Sequence, residues 1–475
     1  MRIGGDSILT SLPVLPTRRS TLAYAALLVC LSAYLLYARV GESAQSFLML
    51  DDQIRDWRLA LGPFGSLPLV GTASTAGGSS LGPIYYWVLW LSRITIGALI
   101  HNQPHAGAYG IALLQGAADL LLLEAVRRRF ASLPLALAAV LATATAAHDL
   151  AVSSTIWNPA VSVAFVKVAL ALRLLQDERR SLWWSASAMA ASWLAVQAHS
   201  SAIFVAAPLA LSELWLALRG AGVMAALERV RRVVAVIVLL QVPWLVHLIS
   251  HASEAAPTRA VAGATDALAG GHLRMAASYH AALDGLTSIL VAPWQGRVAA
   301  VLLVLLLAVS LVRCRRDVSL VAMTVAPPVL AVLGFALWQG EYNEYWYLPL
   351  APCVALGVVL GATAWKHAVL APVTLALVLV AQPGHLAVAH TYYRLPEYGP
   401  LSAGSVRLAR QAPSLRRVYT EFGMPMFSDE TFPYQAAGGR IAEDAAFDGW
   451  IDRNGGIRFT PVRSAGVDGS GPAPR

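Results

Sequence analysis

The sequence predicts an all-α polytopic membrane protein of about 11 transmembrane helices. Surface helices lie in its first outer loop, and a small extracytoplasmic domain closes the chain. Three observations carry this. First, 57% of the 475 residues are hydrophobic and 13% are charged, where a soluble chain has roughly 25% charged residues; the mean hydropathy is +0.59. Second, apolar runs recur at the length, about 20 residues, that lets a helix cross a bilayer core, whereas strands of an outer-membrane barrel would be about 10 residues and alternating. Third, basic clusters separate alternate pairs of these runs. The composition excludes an ordinary soluble enzyme, a disordered chain and a nucleic-acid-binding protein.

The apolar segments are 21–40, 83–100, 107–126, 132–148, 157–174, 183–197, 201–218, 233–250, 298–312, 318–338, 346–364 and 368–382. Arg18 and Arg19 precede the first, which is too long for a signal-peptide core and reads as an uncleaved anchor. Lys and Arg mark cytoplasmic loops. With the N-terminus inside and segment 83–100 not crossing, the inside loops hold 17 Lys and Arg and the outside stretches 6. If 83–100 crosses, that bias reverses after residue 100. The segment is therefore placed along the outer surface; Tyr85, Tyr86, Trp87 and Trp90 are interfacial residue types, and Pro83 fits a helix start. The expected orientation has the N-terminus cytoplasmic and the C-terminus extracytoplasmic.

Residues 1–382 form the transmembrane domain and 383–475 the C-terminal domain. The latter holds Arg and Asp/Glu in near balance and many Gly and Pro. It reads as α+β, with a strand near Arg417–Phe422 and a disordered tail over 464–475. Cys30, Cys314 and Cys353 suggest neither a disulfide nor a metal framework.

The first outer loop holds Asp51, Asp52 and Asp56 with Arg55 and Arg58. On a short helix Asp52 and Asp56 share a face with Leu59 and Pro63, and Arg55 lies beside Asp52. This is either a solvated helix with local ion pairs or a carboxylate at the membrane rim acting as base or metal ligand. Asn158-Pro159 reads as a helix cap, and His199 as either a packing residue or a ligand. Arg274 and Arg297, in the outer loop 251–297, could meet a lipid phosphate or need no ligand. The last outer turn, 338–347, joins five aromatics to Glu341 and Glu344, an aromatic belt on its simplest reading. Asp119, Lys167 and Glu213 lie within spans, past the middle toward the inner side, as packed pairs or as a polar pathway.

Asp52-Gln53-Ile54-Arg55-Asp56, a Gly-rich stretch and Gly82-Pro83-Ile84-Tyr85-Tyr86 together resemble the first loop of bacterial membrane glycosyltransferases of the GT-C class. These include the family 39 protein mannosyltransferases, the lipid A aminoarabinose transferases and the RgtA/B/C/D-like group. Arg127-Arg128-Arg129-Phe130, Trp157-Asn158-Pro159, Gln197-Ala198-His199 and Tyr347-x-Pro349-x-x-Pro352 follow in the same order. The resemblance covers about residues 20–365.

The resemblance implies an inverting transferase that moves a sugar from a polyprenyl-phosphate donor to an acceptor hydroxyl on a glycan, lipid or protein. Because it is to bacterial enzymes, it also implies a bacterial inner membrane as the location. It implies Asp52 as catalytic base, with Asp56 and then Asp51 as alternatives. Arg55, Tyr85, Tyr86, Asn158, His199, Arg274, Arg297 and Tyr347 would bind substrate. A divalent cation is a candidate cofactor with no visible ligand set. Many relatives carry an acid where this chain has Asn158, and Arg or Lys where it has Glu341 and Glu344, so Arg274 or Arg297 is the expected phosphate partner. The competing readings are a transporter or flippase for a lipid-linked sugar, and a scaffold that presents the C-terminal domain.

Overall fold

A computed structural model describes residues 18–41, 51–73, 79, 81–100, 104–153, 155–179, 182–251, 265, 269, 273–291, 296–338, 341–364, 367–391, 398–421 and 432–462. The chain is a multi-pass helical membrane protein. Eight helices among the described residues are long and apolar enough to cross a membrane, or ten if two bent pairs each count as one span. The expected span 183–197 coincides with a helix of 17 residues, Leu182–Ala198, about 25 Å long and at the short limit for a crossing.

Helices α1 (Arg18–Val40), α2 (Asp51–Ala60), α3 (Ile84–Thr95) and α4 (His105–Phe130) open the chain. Helix α3 has 12 residues. At 1.5 Å per residue it is too short to cross the hydrocarbon core, as the arginine distribution requires. Helices α5 (Leu133–Ala144) and α6 (Ala147–Ser153) meet at 60°, a broken or re-entrant span where one straight segment was expected. Then follow α7 (Asn158–Arg179), α8 (Leu182–Ala198), and α9 (Ile203–Ser250), which breaks at Gly222, where φ is +79°. Helices α10 (Met275–Val291), α11 (Arg297–Cys314), the bent pair α12 (Val318–Thr324) and α13 (Ala326–Phe335), α14 (Ala351–Ala362) and α15 (His367–Thr391) complete the membrane part.

Helices α4 and α7 form its centre. Their buried positions are rich in alanine: Ala108, Ala112, Ala118 and Ala125 on one, Ala160, Ala164, Ala169 and Ala171 on the other. In lipid no hydrophobic force drives helices together, and small residues let backbones approach and maximise packing.

Two charged clusters lie inside. Arg39 donates to Asp119 at 2.7 Å and Asp149 at 3.2 Å, and Lys167 reaches Asp119 at 2.9 Å and Asp149 at 3.2 Å. Gln115 accepts from Lys167 at 2.8 Å and donates to the Ala160 carbonyl at 2.7 Å. Two cations and two anions cancel. Glu213 is held by Arg173 at 2.9 Å and accepts from Ser185 at 2.7 Å. Of the two readings open for Asp119, Lys167 and Glu213, the geometry gives packed pairs.

Beyond α15, helix α16 (Tyr398–Gln411) packs on short strands. Strand β1 (Ser414–Leu415) pairs with β3 (Arg440–Ile441); β4 (Phe447–Ile451) lies between parallel β2 (Val418–Thr420) and antiparallel β5 (Ile457–Pro461). The strand expected near 417–422 is thus the three residues of β2. The tail 464–475 lies outside the described residues. Cys30, Cys314 and Cys353 are unbridged.

Candidate functional site

Helix α2 is amphipathic. Acids begin it and Arg58 occupies its last turn, which suits the helix dipole. Ile54, Trp57 and Ala60 are buried at a spacing of three and turn one face inward. Asp56 shares that buried face at 2% exposure, whereas the Asp52 side chain is 66% exposed. The expected common face for the two acids is therefore divided, and Leu59 is exposed as well. Arg55 bridges them, donating to Asp52 Oδ1 at 2.9 Å and Asp56 Oδ1 at 2.9 Å. Tyr86 on α3 donates to Asp56 Oδ1 at 3.1 Å. Burial pushes the Asp56 carboxyl up to about 6 despite the opposing pull of Arg55. Burial also raises the Tyr85 and Tyr86 hydroxyls above the usual phenol range. The Asp51 side chain lies outside the described residues.

Tyr85 and Tyr86 were expected at the water–lipid interface and are instead buried at 0% and 3%. Their ring faces fill space while each hydroxyl finds an acceptor. Tyr85 donates to the Ile156 carbonyl at 3.0 Å, which ties α3 to the second outer loop. Gly107 at the start of α4 supports the same junction, because Trp57, Leu89 and Ile156 crowd the place a Cβ would take.

The later motifs converge here. Asn158 begins α7, yet its side chain does not cap that helix; its amide donates to the Ala198 carbonyl at 2.8 Å. That bond joins Trp157-Asn158-Pro159 to Gln197-Ala198-His199. Gln197 donates to the Leu240 carbonyl at 2.7 Å and lies against Gly82, where a Cβ would overlap its amide. Gln241 in turn donates to the Leu81 carbonyl at 2.9 Å. The central part of the Gly-rich stretch, 74–78, lies outside the described residues.

The last outer turn completes the cluster. Tyr345 packs on Trp157, ring centroids 5.1 Å apart, and against His199 at 6.1 Å. His199 bonds Ser201 through Nδ1 at 2.7 Å. Glu344 reaches His148 Nε2 at 3.3 Å and accepts from Ser288 at 3.3 Å. Tyr347 is buried against Gly285 and Phe335. The Arg274 guanidinium lies 5.3 Å over the Tyr342 ring, so it does stand at this turn. Arg297 is exposed at the start of α11.

Sequence reasoning named Asp52, Arg55, Tyr85, Tyr86, Asn158, His199 and Tyr347; the structure ties Tyr86 to α2, Tyr85 to the second outer loop, Asn158 to Ala198 and His199 to Tyr345. It did not assign His148, Trp157, Ser288, Glu344 or Tyr345 to the site. Glu344 and Tyr345 lay in a stretch that fits an aromatic belt. Only the pairing of two acids with five aromatics in that turn could have singled them out. Among the described residues, no group of three His, Cys, Asp or Glu side chains is placed to hold a metal. The exposed Asp52 carboxylate, held by Arg55, stands on α2; the half-exposed Glu344 carboxylate and the paired Trp157 and Tyr345 rings stand at the last outer turn.

No family model and no curated protein matches the sequence. Among solved structures, the chain is similar to ArnT from Cupriavidus metallidurans bound to undecaprenyl phosphate, at 13% identity and TM-score 0.48, over 89% of this chain and 86% of that one. It is similar to the apo Archaeoglobus fulgidus oligosaccharyltransferase at 14% identity and TM-score 0.48, over 90% and 65%. A third is the arabinofuranosyltransferase AftD from Mycobacteria, at 17% identity and TM-score 0.39, over 89% and 32%.

Proposed function

We propose that the chain is an inverting glycosyltransferase that takes a sugar from a polyprenyl-phosphate donor at the outer face of the membrane. The observation that carries this reading is Asp52 itself. It is an exposed carboxylate on a surface helix, paired with Arg55, and its motif partners are linked stepwise: Tyr86 to Asp56 of the same helix, Gly82 to Gln197, and Asn158 to Ala198.

In this reaction Asp52 accepts the proton of an acceptor hydroxyl as its oxygen attacks the anomeric carbon. The bond between that carbon and the phosphate oxygen breaks, and the polyprenyl phosphate leaves. The leaving group is already an acid, so it needs positive charge more than a proton. Arg274 at the last outer turn is the candidate for that role, and Arg297 the second. Trp157 and Tyr345 offer faces for a sugar ring. The acceptor is a glycan, lipid or protein with a free hydroxyl.

The transporter reading needs intramembrane charges that can change partners. Here Asp119 and Asp149 are neutralised by Arg39 and Lys167, and Glu213 is held by Arg173, which favours the transferase. A membrane part followed by a C-terminal part beyond the membrane belongs to the same proposal, but the expected boundary at 382/383 falls inside α15, which runs to Thr391, so the division is placed after that helix. The test is sugar transfer in reconstituted vesicles supplied with a polyprenyl-phosphate sugar. Activity lost in Asp52→Asn, in a variant that folds as the parent does, supports the reading; full transfer by that variant removes it.

A further inference from the structure

Helices α11 and α14 pack closely because Gly357 and Gly361 face Leu306 and Leu307, and a Cβ at either glycine would strike α11. At the end of α11 farther from the last outer turn, a cavity of about 540 Å³ opens beside this contact. Its walls are Leu305, Ala308, Val309 and Val312 of α11 and Ala364 beyond α14; Arg313, Arg315 and Arg316 close one end. The three arginines are exposed, and among the described residues none forms an ion pair. The neighbouring acid, Asp317, is already engaged, by Arg129 at 2.8 Å and by the Leu320 N–H at 3.1 Å. An apolar groove on a membrane helix that ends in uncompensated guanidinium groups matches one chemistry: an acyl chain bearing an anionic phosphate.

We propose that this groove binds one anionic phospholipid at the membrane face opposite the candidate site. Arginines that serve only to orient the chain in the bilayer would need neither the groove nor a head group. The experiment compares the purified full-length protein in micelles supplemented with phosphatidylglycerol or phosphatidylcholine, reading lipid adducts by native mass spectrometry and the thermal midpoint. Phosphatidylglycerol should bind and raise the midpoint, and phosphatidylcholine should do so far less. The variant Arg313→Gln/Arg315→Gln/Arg316→Gln should lose affinity on the order of a hundredfold. Ala308→Trp, which keeps every charge and fills the groove from its lipid-exposed wall, should lose the adduct too and serves where the triple variant does not fold. Equal adducts of the two lipids, or an unchanged phosphatidylglycerol adduct in Ala308→Trp, would overturn the proposal. So would inorganic phosphate reproducing the whole midpoint shift, because the site would then read a free anion. None of these outcomes depends on Asp52.

Discussion

Asp52 and Asp56 grip one guanidinium, that of Arg55, from environments that differ as water differs from a protein core. Four residues apart on α2, they are chemically alike and physically unlike. The exposed one remains available to a substrate. The buried one is consumed in holding Arg55 and Tyr86, so the pair separates reaction from support.

Asp52→Asn should therefore remove activity and leave stability nearly untouched. An exposed ion pair contributes about 0–1 kcal/mol, whereas losing a general base costs about 10²- to 10⁴-fold in rate. The check is kcat for sugar transfer beside the thermal midpoint of the same preparation. Loss of both together would make Asp52 a structural residue.

Asp56 gives a pH signature of opposite kind. Its folded carboxyl titrates near 6, above its value in an unfolded chain. Between about pH 4 and 6 the folded state thus binds more protons than the unfolded one, and stability falls as pH rises through that window, then levels off. The two-unit difference corresponds to at most about 3 kcal/mol. Asp56→Asn, neutral at every pH, should flatten the profile and be no less stable than the parent at pH 7. Thermal midpoints from pH 4 to 8 decide it; a parent profile that climbs over this range contradicts the assignment.

The charge cluster around Lys167 yields a third expectation. Lys167→Met leaves Asp119 and Asp149 with Arg39 alone, an uncompensated charge in a buried site, and should cost about 3–5 kcal/mol. Adding Asp119→Leu restores neutrality and should recover much of that loss. Midpoints of the single and double variants form the comparison, and additive losses would show that charge balance is not what the cluster contributes.

Much of this was legible in the residues. Span length foretold the helical bundle, because bilayer thickness acts on local sequence, and the 12-residue helix Ile84–Thr95 is short enough to agree with the non-crossing placement that the arginines favour. The Asp52–Arg55 pair followed from helical spacing. What escaped was tertiary. Nothing in the order of residues says that Asn158 spends its amide on Ala198 rather than on its own helix, or that Tyr85 turns inward to Ile156. The bend between α5 and α6 was also hidden, since the apolar run continues through it. Glu344 meets His148 across nearly two hundred positions, and only the fold brings that pair together.

Gly82 tests whether the converging motifs act as one unit. A methyl group there would overlap the Gln197 amide. That amide can move only by giving up its bonds to the Leu240 carbonyl and to Gln241, and stranding such buried groups costs about 1–3 kcal/mol. Gly82→Ala should accordingly lower both stability and transfer, even though residue 82 carries no chemistry of its own. Gln197→Ala should be milder, since it leaves the Leu240 carbonyl to other donors and opens space. In the double variant that space receives the new methyl, so its loss should be smaller than the sum of the two single losses. A double-mutant cycle on thermal midpoint and on kcat/KM measures this coupling. If stability couples but kcat/KM does not, then the contact between the Gly-Pro element and Gln-Ala-His holds the fold together without shaping the site, and the convergence of motifs loses its functional meaning.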